Sequence, residues 1–406
     1  MKHIGIIAEY NPFHNGHQYQ LNELKKQFPE KNIIVIMSGD YVQRGEPAIF
    51  NKYLRARCAL QSGADIVFEL PGLFATSSAE YFASSAILSL SATGIIDTLC
   101  FGSEDTDLDT FTKIANLFLK EPESYQQILR QHLKNGFSYP KARSLAVAAY
   151  FQDDIYSNLL RQPNNILGIE YIKTIQKYNL DLAPFIIKRT GNGYHDLSID
   201  HSLCSASALR HTLAKHNLNL RPFMPESSWQ LLQVSEYAKP LFLSDFYLFL
   251  QYALWQESSY EKYFEITEAL SNRLCAIKHY PSNINELINQ LTSKNFTETR
   301  IRRSLLNILL NHQKEDMKYS TKKNYVPYLR LLGFRSSSAT LLKEMKNTCS
   351  IPIVNKVSKA KKLLSAEEYS IFQKDLHSSM LYQQIYFNKY GIRLPSEYEH
   401  SVIIEK

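Results

Sequence analysis

The chain has 406 residues, is 44% hydrophobic and 21% charged, and carries a formal net charge of +7 at pH 7. Its length exceeds one ordinary core, so two or three domains are expected, and its composition is that of a soluble globular protein, not a disordered, fibrous or membrane chain. The mild positive excess suits an anionic partner such as nucleic acid, and is equally ordinary for an enzyme of small molecules.

Cys58, Cys100, Cys204, Cys275 and Cys349 are scattered, with no CxxC spacing. That argues against a disulfide framework or a zinc site and for a reducing compartment. The opening MKHIGIIAEY has too short an apolar run for a secretory signal, and Glu9 interrupts it. The most apolar later stretch, FASSAILSLSATGII, is Ser-rich and too short for a bilayer. A cytoplasmic protein with no membrane partner is expected, and the chain has no internal repeat or low-complexity segment.

In chain order, HIGIIAEY reads as a buried strand. Residues 16–28 read as a helix with Tyr19, Leu21, Leu24 and Phe28 on one face. NIIVIMSGD is a second strand ending in a Ser-Gly-Asp loop, residues 52–62 are helical, and DIVFELP is a third strand stopped by Pro71. A small-residue helix over 77–92 leads to a fourth strand, DTLCFGSE. Four apolar, non-alternating strands separated by helices predict a parallel sheet covered on both faces. Helical patterns fill 107–180, residues 182–189 (LAPFIIKR) form a fifth strand, and SASALRHTLAKH opens a helix with Ser at its cap. Past about residue 216 strand signals become sparse, and stretches such as LSDFYLFLQYALWQ and TETRIRRSLLNILLNH have helical periodicity. The expectation is an α/β domain over 1–217 and a mainly α-helical domain over 218–406, joined by NLNLRPFMPESS as a linker.

The chemistry concentrates in EYNPFHNGH, between the first strand and the first helix. A ligand of a parallel sheet sits beyond the carboxyl ends of its strands. Pro12 keeps Asn11 out of the helical region, and Gly16 lets a flat group approach the backbone. The N-terminus of the next helix offers N–H groups to an anion. His14 and His17, at i and i+3, can face the same way. Two imidazole donors there would receive phosphate oxygens and meet charge growing on phosphorus during in-line attack. A metal site is the weaker reading, because no Glu or third His stands nearby.

YNPFHNGH resembles the F-[ND]-P-x-H-x-G-H signature of the HIGH-type nucleotidyltransferase superfamily, whose Rossmann-like fold is shared by class I aminoacyl-tRNA synthetases. The resemblance implies that ATP is held and attacked at its α-phosphate with release of pyrophosphate. CSASALR, residues 204–210, resembles the second family motif, I-S-S-T-x-[IL]-R. It implies that Ser205, Ser207 and Arg210 contact the β- and γ-phosphates, Ser207 keeping the hydroxyl of the family's Thr. AEYNPFHNGH, SGDYVQRGEPA, FGSE, PNNILGIEYIK and IKRTGNGYHD, in that order, resemble the bacterial tRNA(Met) cytidine acetate ligase family. The likeness extends thinly through PYLRLLGF and IPIVNK.

This resemblance implies a HIGH-type nucleotidyltransferase domain followed by the mainly helical domain as a tRNA-binding part. It implies acetate activation by ATP, taken up with Mg²⁺, to acetyl-adenylate. The acetyl group then passes to the wobble cytidine of elongator tRNA(Met), giving N4-acetylcytidine. The catalytic set implied is His14, His17, Ser207 and Arg210. The ATP site implied is Ile7, Ala8, Glu9, Tyr10, Asn11, Pro12, Phe13, His14, Asn15, Gly16, His17, Gln18, Tyr19 and Gln20, with Gly102, Asn164, Asn165 and Arg189. Glu9 departs from the wider superfamily, where Thr or Ser often stands at that place against a phosphorylated acceptor. A carboxylate there repels a phosphate; it can also sit near Mg²⁺, pair with a cation or face solvent.

Gly102 in FGSE would let ribose or adenine lie against backbone, or simply make a turn. One of Asn164 and Asn165 can cap the next helix, leaving the other to read the ligand. Arg189 can clamp paired phosphate oxygens; His195 and Asp196 can move a proton; Arg44 can touch RNA or the acceptor end of the site. No P-loop, GxGxxG or KMSKS-like string occurs. For RNA, the basic stretch 300–335 offers Arg300, Arg302, Arg303, Lys322, Lys323 and Arg330, interleaved with Tyr319, Tyr325 and Tyr328 for stacking. VNKVSKAKK is a second basic run, and a solvated helix face is the plain alternative for both. Two other functions stay open: adenylylation of a small phosphorylated metabolite, and a catalytically silent RNA- or nucleotide-binding protein.

Overall fold

The computed structural model describes residues 2–189, 205–215, 219–323 and 326–406; His195, Asp196, Cys204 and Tyr325 lie outside the described residues. Strand and helix alternate from the start: β1 His3–Ala8, α1 Asn15–Gln27, β2 Ile33–Ser38, a hairpin of β3 Tyr41–Val42 and β4 Glu46–Pro47, α2 Lys52–Gln61, β5 Ile66–Leu70, α3 Gly72–Ala75, α4 Ala79–Ala92 and β6 Ile96–Ser103. Helices α5 Leu108–Lys120, α6 Glu123–Lys134, α7 Tyr139–Phe151, α8 Ile155–Leu159 and α9 Pro163–Lys177 lead to β7 Ala183–Lys188 and α10 Ala206–Lys215.

β1, β2, β5, β6 and β7 pair in parallel in the spatial order β5-β2-β1-β6-β7. The chain builds outward from β1 to β5 on one side, then crosses to β6 and β7 on the other. The crevice between β1 and β6 is therefore the topological switch point, where ligands of open α/β sheets bind. The strands lack apolar–polar alternation because both faces are covered. In β2, Ile33, Val35 and Met37 pack with Leu21 and Leu24 of α1 and with α2. Ile34 and Ile36 turn to the opposite core with Phe82 and Ile87 of α4, Phe111 of α5 and Ile169 of α9.

The second part contains α11 Glu226–Val234, α12 Tyr247–Trp255, α13 Glu268–Ile277, α14 Ile284–Leu291, α15 Glu298–Leu309, α16 Lys314–Lys322, β8 Leu329–Arg335, α17 Ala339–Thr348, β9 Ile353–Val354, α18 Ala360–Leu363, α19 Ala366–Tyr390 and β10 Ile403–Glu405. It is mainly helical, with its own core around Leu270, Leu287, Ile301 and Leu305. It is not separate from the sheet. β8 adds antiparallel to β5, and β9 and β10 pair in parallel with β8. Gly333 is required there, since a Cβ would lie 2.8 Å from both Leu60 and Ile403 side chains. Nor is the expected linker a free tether: Leu220, Phe223, Met224 and Leu232 pack on Ile49, Phe50, Leu54 and Leu209. Apolar residues at those positions favour burial over solvent. Among the described residues no helix is long and apolar enough to cross a membrane.

Candidate active site

A cleft of about 250 Å³ opens at the carboxyl ends of β1 and β6. Its walls come from the β1–α1 turn, the β3–β4 hairpin, α4, the β6 end, the start of α9, the β7 end and the start of α10. Arg55, buried on α2, braces the floor. Its guanidinium donates to the carbonyls of Phe50 at 2.9 Å and Ser38 at 3.1 Å, and to those of Glu9 and Gly39. One side chain thereby ties the exits of β1 and β2 together.

Tyr10 leaves β1 at φ +49, in the left-handed region rare for an aromatic residue. His14 then caps α1, its Nδ1 accepting the Gly16 N–H at 3.0 Å, while His17 Nδ1 accepts the His14 N–H at 3.2 Å. The two imidazoles close a reciprocal capping box and stack, with centroids 3.8 Å apart and planes 21° off parallel. Gly16 serves this cap, since a Cβ there would stand 2.8 Å from the His14 ring. The helix N-terminus is thus not an open anion receptor, because the histidines consume two of its N–H groups. Burial, reinforced by Arg189 and Arg210, lowers the His14 pKa to about 3. His17 is held well below the ordinary value by burial, then by His14 and Arg189. Both rings are neutral at pH 7, and with Nδ1 accepting, the proton sits on Nε2. Both His14 and His17 line the cleft.

On one side of the pair stands the start of α10. Ser205 Oγ accepts the Ala208 N–H at 3.1 Å and caps the helix. Arg210 donates to the Asn11 carbonyl at 2.8 Å and to Ser207 Oγ at 3.3 Å, and its Nε lies 3.5 Å from Glu46 Oε2. Asn11 Oδ1 in turn accepts the Ile49 N–H at 2.8 Å. Arg189 leaves β7 toward Glu104, 3.6 Å away, and Gly102 leaves room beside it, with 3.5 Å from a would-be Cβ to Arg189 Cγ. Asn164 donates to Glu104 at 2.6 Å and lines the cleft. Asn165 is buried: its Oδ1 accepts from Ser103 Oγ and from the N–H groups of Glu104 and Asp105, holding the turn after β6. Neither asparagine caps α9 by its side chain.

The rest of the lining joins residues of the quoted motifs to Phe82, which lies outside them. Glu9 Oε1 accepts the Gln43 N–H at 3.0 Å, so the carboxylate braces the hairpin and does not face open solvent. Arg44, Phe82, Phe101, Leu167 and Tyr171 join the lining. Phe101 and Tyr171 meet edge-to-face at 5.5 Å. Arg44, Phe101, Leu167 and Tyr171 stand in the motifs SGDYVQRGEPA, FGSE and PNNILGIEYIK; the signal for Phe82 is only its place on a helix facing a strand exit.

The contiguous run 7–20 divides by backbone geometry. Ile7, Ala8, Glu9, Tyr10, Asn11, His14, Gly16, His17, Tyr19 and Gln20 line the cleft. Pro12, Phe13, Asn15 and Gln18 are not among its lining residues. Phe13 is in the core, Asn15 donates to the Pro222 carbonyl, and Gln18 reaches Asn22 and the Ser62 carbonyl. For Asn15 and Gln18 the reason is that a helix shows a cleft only part of its circumference.

Among the basic residues of 300–335, Arg330 is 4% exposed, paired with Glu69 and Glu397 and directed inward. Its place is structural, because β8 is buried. Tyr328, 0% exposed, donates to Asp375 and is no stacking platform. Arg302 bonds Glu298 and Glu46, Arg303 pairs with Glu265, and Arg300 lies over Phe296. Lys322 and Lys323 are exposed, as are Lys356, Lys359, Lys361 and Lys362 of the second run.

Comparison with known proteins places the chain in a family. The model of the HIGH Nucleotidyl Transferase family matches residues 1–394. The chain is similar to the tRNA(Met) cytidine acetate ligase of Caldanaerobacter subterraneus subsp. tengcongensis, 38% identical over 391 residues, 96% of each chain. It is similar to the ligase of that name from Acetivibrio thermocellus, 36% identical over 415 aligned positions, 100% of each. The crystal structure of apo Thermotoga maritima TmcAL superposes with a TM-score of 0.93 at 31% identity, over 100% of both chains. The same protein bound with alpha-thio ATP superposes at 0.91 and 30%, again over the full lengths.

Proposed function

Because the chain belongs to the HIGH nucleotidyl transferase family and, within it, to the tRNA(Met) cytidine acetate ligases, we propose that it activates acetate with ATP and passes the acetyl group to the wobble cytidine of elongator tRNA(Met). The observation that carries this reading is the reciprocal histidine cap at the switch point: two neutral rings whose Nδ1 atoms accept, leaving Nε2–H to donate, in one cleft with Arg210 and Ser207.

In the first step an acetate oxygen attacks the α-phosphorus, and the bond to the β-phosphate oxygen breaks. His14 and His17 donate to the α-phosphate oxygens as their charge grows. Ser207 and Arg210 receive the departing pyrophosphate, and Asn164, Gly102 and Arg189 hold the nucleotide. Mg²⁺ taken up with the triphosphate would help neutralise its charge. The carboxylates of Glu9, Glu46 and Glu104 already accept protein donors or pair with arginines. In the second step the cytosine N4 amine attacks the acetyl carbonyl, AMP leaves, and the amine proton is lost. Juxtaposing the amine with the mixed anhydride supplies much of that rate. The exposed lysines of the second part would neutralise tRNA phosphates. A reaction that draws on ATP and tRNA belongs in the cytoplasm.

The test is incubation with ATP, labelled acetate and bulk tRNA, followed by digestion of the RNA. Label in N4-acetylcytidine of elongator tRNA(Met) is expected. Pyrophosphate exchange that ignores acetate and needs a phosphorylated metabolite would overturn the assignment.

A further inference from the structure

The acid that attacks the α-phosphorus has two parts, a singly charged head and one methyl group. A site that selects it needs a cation in the cleft that holds the histidine pair and an apolar wall that ends after one carbon. Of the arginines lining the cleft, Arg210 is tied to Asn11, Ser207 and Glu46 on the leaving-group side, and Arg189 stands at Glu104 on the nucleotide side. Arg44 lines the same cleft, and after burial its charge is acted on by Glu9, Arg210, Glu46 and Arg189. It rises from the β3–β4 hairpin, next to Gln43, whose backbone N–H is held by Glu9 and whose side chain donates to the Ser77 carbonyl at 3.2 Å. The hairpin that carries Arg44 is therefore pinned both to the β1 exit and to the turn before α4.

The same end of the cleft is closed by Phe82 of α4, 2% exposed, and Tyr171 of α9, 5% exposed. Tyr171 lines the cleft together with Glu9 and meets Phe101 edge-to-face. Both side chains are backed by packed core and cannot retreat to admit a longer chain without opening it.

We propose that Arg44, Phe82 and Tyr171 form the acyl subsite: Arg44 holds the acid's carboxylate against the α-phosphate, and the two rings stop the chain after its methyl group. Glu9 orients Arg44 and, by its charge, turns away acceptors that carry a phosphate. The ligand class is a short unbranched monocarboxylate. This rests on the acetate-activating reading and specifies which residues choose the acid.

The experiment is ATP–pyrophosphate exchange driven by acetate, propionate or butyrate, with Arg44→Ala, Arg44→Lys and Phe82→Leu beside the native protein. Thermal unfolding shows which variants are folded. Arg44→Ala should raise the KM for acetate by about tenfold or more while the KM for ATP moves by less than about twofold, and Arg44→Lys should recover part of the loss. Phe82→Leu should raise the propionate-to-acetate ratio of kcat/KM by roughly tenfold, the scale on which one methylene is discriminated in an apolar pocket. A rise in the KM for ATP alone would make Arg44 a phosphate ligand and end the proposal, as would an unchanged acid preference in Phe82→Leu. Failure of the native protein to exchange with any carboxylate is a different result, and overturns the acetate-activating reading itself.

Discussion

A neutral imidazole keeps its proton on one nitrogen, and in His14 and His17 the backbone chooses which. Each Nδ1 is occupied as an acceptor by the first turn of α1, so each Nε2–H is left as a donor without any carboxylate to orient it. Burial lowers the His14 pKa to about 3 and brings His17 down as well. Exchange activity should therefore stay level as the pH falls from 8 to about 5.5, with no half-loss near the ordinary histidine value of about 6.5. A steady-state profile with an acid limb centred there would contradict the assignment. Stability has the opposite sensitivity. The folded pKa lies below the unfolded one, so the unfolded chain takes up the extra proton. The contribution of His14 is complete above about pH 6.5 and is lost progressively toward pH 3. His312, buried beside Asn307 and also lowered to about 3 by burial, adds to the same acid loss.

At the scale of elements, the β3–β4 hairpin joins two helices, α10 and α15, that the sequence presents far apart. Gly45 has φ +74, and a Cβ on it would stand 2.4 Å from the Arg303 nitrogen, so the hairpin seats directly on α15. Glu46 then divides its carboxylate, with Oε2 3.5 Å from Arg210 on α10 and Oε1 3.2 Å from Arg302 on α15. Glu46→Ala should lower exchange by roughly tenfold, the worth of one charge-assisted bond that holds Arg210 in place. Arg302→Ala should share in that loss, and the double variant should fall short of the product of the two, because one chain of contacts is being cut twice. Additive losses would show that Arg302 and Arg210 act separately.

The whole molecule is clamped by buried charge. Lys52, with no side-chain exposure, lies 2.9 Å from Glu69, 3.1 Å from Glu397 and 3.6 Å from Asp40. Burial and Arg330 oppose its proton, but the three carboxylates outweigh them and keep Lys52 charged. Arg330 from β8 pairs with Glu69 and Glu397, and Tyr53 donates to Glu397 at 3.0 Å. The cluster stitches α2 and β5 of the first part to β8 and the C-terminal segment of the second. Removing one partner leaves charges buried and uncompensated, which costs about 3–5 kcal/mol. Glu397→Ala should lower stability by about that amount in urea unfolding. Loss of signal from both parts in one transition is expected, since the sheet runs through both; two separate transitions would show that the cluster couples nothing.

The strands, their order of appearance and the HNGH turn were legible because each depends on neighbours along the chain: apolar runs, a proline, a glycine, a helix cap. Residues such as Asn15 and Gln18 in the first turn of α1 needed only the helical period to leave the cleft. Tertiary contact alone decided the rest. Asn164 faces the cleft while Asn165 holds the β6 turn, although the two have the same side chain. β8 is an apolar run among helices, and only its antiparallel pairing with β5 reveals it as part of the sheet. Arg330 looks like its exposed neighbours Lys322 and Lys323 until Glu69 and Glu397 close over it. Local conformation depends on adjacent residues; the partners that give a charge its role arrive from hundreds of positions away, and periodicity does not record them.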